Sequence, residues 1–303
     1  MKIALVGAVE STRVAIEALD EAGHTPAMLV TLPRDLAHRH SDFVDLQPLA
    51  AEHGIPLHTT AKSNAPETIE TLKAVAPDLM LVIGWSQLCN AEFRSIASRA
   101  SLGYHPSALP KLRGRGVIPW TILQCEDRSG ASLFWLADGA DTGDIAAQEL
   151  FDIDPDTETA RSLYDKQMAA LHRLLVKFMA RFDAGETPRT PQDHSKATIC
   201  ARRTPEDGRI DWRDPAAKIE RLVRAAGAPY PGAFTESDAQ RVTITKARLA
   251  ERQGVYIGLP GQVQAREADS FTVMCGDDQC LDILEWSGPS APPKLHSKLG
   301  LSA

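Results

Sequence analysis

Short apolar runs, each closed by glycine or turn residues and followed by a helical pattern, set the strongest limit on how this chain folds. Ile3–Val6 is such a run, closed by Gly7, and Val14, Ala15, Ala18 and Leu19 follow at helical spacing. Gly23 stops that helix, and Ala27–Val30 reads as a second strand. Helices are expected around Leu46–Glu52 and Pro66–Val75. Leu79–Ile83 is then a strongly apolar strand closed by Gly84, with a helix expected over Ala91–Ala100. This order of strand and helix predicts an α/β fold whose parallel sheet is covered on both faces.

In such sheets ligands bind beyond the carboxyl ends of the strands. Chemistry is therefore expected after Ile83 and at His105, which ends the short strand Leu102–His105. Two further strands, Ala131–Leu136 and Ile145–Leu150, flank a tight polar loop from Ala137 to Asp144. Asp156 or Thr157 is expected to cap a long amphipathic helix that ends near Gly185. The stretch that follows is rich in Pro, Thr and polar residues and reads as a linker. Beyond it come short strands at Val242–Ala247, Gly261–Ala265, Phe271–Met274 and Leu281–Glu285, with one helix at Pro215–Ala226. That pattern suggests a small barrel or sandwich. The expected division is residues 1–186 as one domain, 187–197 as linker and 198–303 as a second domain.

The bulk chemistry narrows the partners. A net charge of −7 argues against a protein whose whole surface grips nucleic acid. Five scattered cysteines form no disulfide framework, and Cys275 and Cys280 bracket a turn that reads as a reduced hairpin. No metal site is expected: the two hairpin cysteines lack further ligands at a suitable spacing. His38, His40, Asp42 and Asp45 read as a solvated or acceptor-facing loop. The apolar run at the start is too short for a signal peptide, and no run approaches the ~18 residues of a membrane span. The cytoplasm is the expected location, with no membrane partner. Gly7-Ala8-Val9-Glu10 lacks the dinucleotide fingerprint, and Ser107 lacks the elbow of a hydrolase nucleophile.

The informative segment runs from Gly103 to Gly116: a histidine at a strand end, then a loop rich in Pro, Gly and cations. A histidine beside a fixed carboxylate can take a proton near neutral pH. His105-Pro106-Ser107-Ala108-Leu109-Pro110-Lys111-Leu112-Arg113-Gly114, followed by Asp141-Thr142-Gly143-Asp144-Ile145, resembles the paired motifs of the folate-dependent formyltransferase family. Its members include methionyl-tRNA formyltransferase and the domain that formylates UDP-4-amino-4-deoxy-L-arabinose. In the second half, Cys200 to Asp207, Ile210-Asp211-Trp212, Val223-Arg224-Ala225 and Pro229 to Phe234 are similar to the family's C-terminal domain, closest to the aminoarabinose branch.

The resemblance implies a Rossmann-like formyltransferase domain followed by a small OB-like β-barrel. It implies transfer of formyl from 10-formyltetrahydrofolate to an amine. A nucleotide-linked amino sugar or another small-molecule amine is the expected acceptor. Methionyl-tRNA is the alternative, weakened by the balance of basic and acidic residues over 198–303. The implied catalytic residues are His105, to take the amine proton or stabilise the oxyanion, and Asp141, to hold the imidazole. The implied folate wall is Ile83, Gly84, Trp85, Gln87 and Leu88 on one side, and Ala137, Asp138, Gly139 and Ala140 on the other. Tyr104, Ser107, Arg113 and Arg115 are the expected substrate-binding residues, although the two arginines read equally well as solvated loop charges.

One departure stands out. The family's Asn two residues before the histidine is Gly103 here. Losing one oxyanion donor costs ~3 kcal/mol. Three accounts are open: a neighbouring donor such as Gln87, or a water, replaces it; the site works more slowly; or the chain binds folate without transferring formyl. Hydrolysis of the donor, with water as acceptor, is a further variant that uses the same site. Glycine there is also expected to leave more room for the acceptor.

Overall fold

Successive side chains of a strand point to opposite faces of a sheet, and the first strand buries both. In β1 (Ile3–Val6), Ile3 and Leu5 enter one apolar cluster while Ala4 and Val6 enter another. The computed structural model describes residues 1–300 and builds a seven-stranded sheet around this strand. β2 (Met28–Thr31), β3 (Leu57–Thr59), β4 (Leu79–Val82) and β5 (Ala100–His105) extend it in parallel. A short β6 (Arg113–Gly114) stays outside the sheet. β7 (Arg128–Trp135) and β8 (Ile145–Asp152) complete it as antiparallel strands beyond β5, giving the order β3-β2-β1-β4-β5-β7-β8.

Helices cover both faces, as the alternation requires. α1 (Glu10–Glu21) and α2 (Gln47–Glu52) lie on the Leu5 side. α3 (Pro66–Val75) and α4 (Ala91–Arg94) supply Ile69, Leu72 and Phe93 to the Val6 side. After α5 (Val117–Leu123), the long α6 (Ala160–Asp183) returns to the Leu5 side with Leu171, Leu175, Phe178 and Phe182.

Two local expectations are corrected. The helix expected over Ala91–Ala100 stops at Arg94, because Ser98 donates to the Pro77 carbonyl and Arg99 and Ala100 donate to that of Asp78. Those bonds draw the chain into β5. Neither Asp156 nor Thr157 caps α6: Asp154 binds both in a turn of its own, and Thr159 accepts the Ser162 N–H at 3.1 Å.

The chain packs as two compact units. One comprises Met1–Val117, Asp127–Ile153 and Leu163–Arg202; the other comprises Ile118–Glu126, Asp154–Ser162 and the chain from Arg203 onward. Residues 187–197 pack within the first unit, where Thr190 bridges to Ile145 and Gln192 is buried. There too the short β9 (Ile199–Cys200) pairs in parallel with β6.

The second unit holds a curled antiparallel sheet of β10 (Ala233–Ser237), β11 (Gln240–Leu249), β12 (Val263–Arg266), β13 (Phe271–Met274) and β14 (Cys280–Ser287), in the order β10-β11-β14-β13-β12. Register shifts between β11 and β14 around Lys246 bend it. α7 (Ala216–Ala226) packs Ile219 and Val223 into the same core as Trp212 and Phe271. Cys275 and Cys280 are free thiols at the β13–β14 hairpin.

A glycine just past β4 is held in a close-packed turn. Gly84 has φ +77°, and a Cβ there would fall 2.4 Å from Val9 Cγ2 and 2.8 Å from the hydroxyls of Ser11 and Thr12. Only glycine meets both demands. Gly84→Ala should destabilise the protein by about 1–3 kcal/mol, read as a lower midpoint in urea unfolding. An unchanged midpoint would contradict this geometry.

Candidate active site

His105 ends β5 with its side chain 6% exposed, and both ring nitrogens face oxygen atoms. Nε2 lies 2.7 Å from the carbonyl oxygen of Leu112. A carbonyl only accepts, so Nε2 carries the hydrogen in this contact. Nδ1 lies 3.5 Å from Asp141 Oδ2, beyond hydrogen-bond reach but close enough for charge to be felt. Both neighbours come from unusual backbone. Leu112 and Asp141 have φ of +56°, the left-handed region that a leucine rarely enters. Strain of this kind persists only where the surroundings over-determine it.

Those surroundings are visible. The Gly114 N–H donates to Asp141 Oδ2 at 2.8 Å. Leu112 is held by its N–H on the Thr198 hydroxyl, 2.8 Å, and Arg113 by its N–H on the Thr198 carbonyl, 2.9 Å. Gln192 donates to the carbonyls of Asp141 and Gly143 at 2.9 and 2.6 Å. Its own side-chain oxygen accepts from the Arg113 guanidinium at 2.6 and 3.2 Å. One buried amide thus ties the histidine loop to the aspartate loop. Sequence reasoning missed Gln192, Thr198 and the Leu112 carbonyl: a glutamine in a polar stretch carries no signal, and a backbone carbonyl has none to carry.

The space beside Gly103 is filled. Gly103 pairs with Phe134 across β5 and β7, so the two share the face that carries His105. A Cβ on Gly103 would lie 2.7 and 2.9 Å from Phe134 ring carbons and 3.0 Å from Leu136 Cδ2. The room expected there for an acceptor is occupied by a buried ring. Gln87 is tied to the chain around residue 62: its amide nitrogen donates to the Ala61 carbonyl at 2.8 Å and its oxygen accepts from the Ser63 N–H at 3.3 Å.

The two segments expected to hold folate are joined by Arg94, which sequence reasoning also missed. Its guanidinium donates to the Cys89 carbonyl at 2.7 Å and the Ala137 carbonyl at 3.3 Å, and pairs with Asp138. In the first segment Ile83 is fully buried and its carbonyl accepts the Thr12 hydroxyl at 2.7 Å. Gly84 accepts the Ala8 N–H, Trp85 packs against the Val6-side core, and Leu88 is exposed. Trp85 Nε1 is buried without a hydrogen-bond partner. In the second segment Asp138, Gly139 and Ala140 are exposed and the Gly139 carbonyl accepts the Thr142 hydroxyl. Cys89, between these walls, is no nucleophile: burial pushes its thiol up to about 12.

Three of the four expected substrate contacts are engaged elsewhere. Tyr104 alternates with His105 and so points to the opposite face, where its hydroxyl donates to Gln167 at 3.2 Å. Burial raises its phenol well above the usual value. Ser107 donates to the Lys111 carbonyl at 2.8 Å and closes the loop. Arg113 is 5% exposed and held by Gln192 and His194. Arg115 alone is exposed. Of the polar cluster near residue 40, Asp42 accepts the Tyr164 hydroxyl at 2.8 Å and Asp45 pairs with Arg34. A cavity of about 400 Å³ in the second unit, lined by Trp120, Arg203 and Arg221 among others, contains neither His105 nor Asp141.

Comparison with known proteins identifies the frame that holds this pair. Residues 1–179 match the profile of the formyl transferase family, and residues 202–291 match that of the formyl transferase C-terminal domain. The chain belongs to the formyl transferase family. Its fold is similar to that of HypX from Aquifex aeolicus in complex with tetrahydrofolic acid, at 19% identity and a TM-score of 0.67, over 94% of this chain and 44% of that one. The chain therefore spans less than half the length of the HypX it matches. It is similar also to an N-formyltransferase from Helicobacter canadensis, in complex with folinic acid and dTDP-3-aminofucose. That match has 18% identity and a TM-score of 0.67, over 94% of this chain and 99% of that one. A methionyl-tRNA formyltransferase from Clostridium thermocellum matches at 19% identity and a TM-score of 0.59, over 84% of this chain and 95% of that one.

The packing at Gly103 makes a direct prediction for this formyltransferase-family site. Gly103→Asn alone should destabilise by about 1–3 kcal/mol through overpacking. Adding Phe134→Ala should remove part of that cost, so that the double variant is more stable than the sum of the two single changes. Denaturant unfolding of all four proteins gives the coupling, and strict additivity would show that the ring does not block the position.

Proposed function

We propose that this protein transfers the formyl group of 10-formyltetrahydrofolate to the amine of a nucleotide-linked amino sugar. The reading rests on one observation: His105 and Asp141, from separate loops of a formyl transferase-family fold, face each other 3.5 Å apart on a network that fixes both.

The residues present suit a folate. The walls offer mostly backbone groups, Arg94 fastens one wall to the other, and Trp85 Nε1 is a buried donor lacking an acceptor. Ile83 to Leu88 and Ala137 to Ala140 would hold the pterin, and the bound donor supplies an activated formyl carbon.

The chain's own atoms define the proton's route. With Nε2 engaged by the Leu112 carbonyl, the lone pair of neutral His105 is on Nδ1, facing Asp141. The gap between Nδ1 and Oδ2 exceeds a hydrogen bond and suits the approach of an amine N–H. A proton taken at Nδ1 rests beside the carboxylate, which stabilises the imidazolium and holds the ring in place. The Gly114 N–H keeps Asp141 from swinging away. The nucleotide-sugar acceptor draws support from the match to an enzyme whose own complex contains dTDP-3-aminofucose, over nearly the full length of both chains. No helix among the described residues is long and apolar enough to cross a membrane, and we place the protein in the cytoplasm.

The test is release of tetrahydrofolate from 10-formyltetrahydrofolate, with and without UDP- and dTDP-linked amino sugars, hydroxyornithine and methionyl-tRNA. Release that requires an amino sugar supports the proposal. Release with no amine would mean hydrolysis, and release only with methionyl-tRNA would move the acceptor to that class. His105→Ala and Asp141→Asn should each lower turnover by about 10²–10⁴-fold. Near-normal turnover in either would remove that residue from the chemistry.

A further inference from the structure

Arg115 and Arg202 of the first unit are cations with no ion-pair partner among the described residues. Arg115 follows Gly114, whose N–H binds Asp141, and the Arg115 N–H donates to the Cys200 carbonyl at 3.3 Å. The parallel pairing of β6 with β9 sets Gly114 opposite Cys200, so Arg115 directly follows one paired strand and Arg202 comes two residues after the other. Both are exposed, and among the described residues neither side chain forms an ion pair with a carboxylate. Enough of the protein crowds the Arg115 guanidinium to lower its proton affinity, and the neighbouring charge of Arg202 lowers it further. The charge of Arg115 is felt at His40. Burial depresses its pKa, Asp42 opposes the shift, and the charges of Arg115 and Arg39 add to it. Asp42, the acid that acts on His40, accepts the Tyr164 hydroxyl. Like charges placed side by side at the rim of a site are destabilising unless a bound anion relieves them.

We propose that Arg115 and Arg202 form an anion subsite beside the His105–Asp141 pair that holds the diphosphate of the acceptor. The inference rests on the nucleotide-linked acceptor proposed above and assigns the part of it that these residues recognise. Two guanidinium groups carried just beyond two paired strands suit two linked phosphates, and each offers a planar fork of donors to phosphate oxygens. A polyanion such as tRNA calls for a wider basic field. The positions make functional sense as well. A diphosphate anchored one residue beyond Gly114 would tether the amine end of the same molecule near Nδ1 of His105, and binding energy remote from the reacting atoms would serve to orient it.

The experiment measures binding of UDP and dTDP, without folate or amine, to the full chain by titration calorimetry. Wild type is compared with Arg115→Ala, Arg202→Ala, Arg115→Lys and, as a control for net charge, Arg181→Ala, whose side chain pairs with Glu186 on the surface. Each of the first two changes should weaken nucleoside diphosphate binding by about tenfold or more. Arg115→Lys should retain part of the affinity, and Arg181→Ala all of it. Uridine and thymidine should bind far more weakly than their diphosphates, and added salt should weaken the diphosphates further. Wild type that binds neither diphosphate overturns the proposal, as does equal binding by wild type and both alanine variants. Thermal melts of each variant separate lost binding from lost folding. Diphosphate binding that depends on Arg115 without formyl release would keep the subsite and discard the transferase. Formyl release onto amines with no diphosphate binding would do the reverse.

Discussion

The geometry of the candidate site depends on one buried amide. Gln192 donates to the carbonyls of Asp141 and Gly143 and accepts from Arg113, so the loop after β5 and the loop between β7 and β8 are fixed to the same side chain. That tie acts together with the Thr198 hydroxyl and the Gly114 N–H to hold two residues with positive φ, Leu112 and Asp141. A buried guanidinium is costly unless its donors are satisfied. Arg113 is satisfied by Gln192 and His194, which makes the tie a requirement of folding as well as of geometry.

The sheet explains why the pair lies where it does. β5 is the last parallel strand, and its antiparallel neighbour β7 brings Phe134 and Leu136 onto the His105 face. The loops beyond β4 and β7 then form the two walls that Arg94 joins. Each wall is mostly main chain, and main-chain donors and acceptors keep their positions when side chains vary.

Much of this was legible in the sequence where periodicity or spacing carried it. Four of the five parallel strands and the helix faces follow from apolar spacing, whereas β3, with three residues of which none is fully buried, left no trace. His105 and Asp141 were singled out because their motifs surround them, and the fold brings the two side chains within 3.5 Å. The partners of Arg113, Ser107 and Tyr104 were hidden because a motif does not show which way a side chain points. Arg113 turns inward to Gln192, Ser107 closes its own loop, and Tyr104 takes the other side of the strand. The consequence of Gly103 was equally hidden, since the ring that fills its place is thirty-one residues later in the chain. Long-range partners of this kind come only from the folded sheet.

The pairing of β6 with β9 carries a lesson for dividing this chain. The profile of the catalytic half ends at residue 179, within α6, and a cut there would look natural. Such a fragment would keep both His105 and Asp141, yet Gln192, Thr198 and β9 would be gone. It would own the reagents of the site without the clamp that aligns them. The functional border of the catalytic half therefore lies beyond Cys200, some twenty residues after the border that family likeness draws.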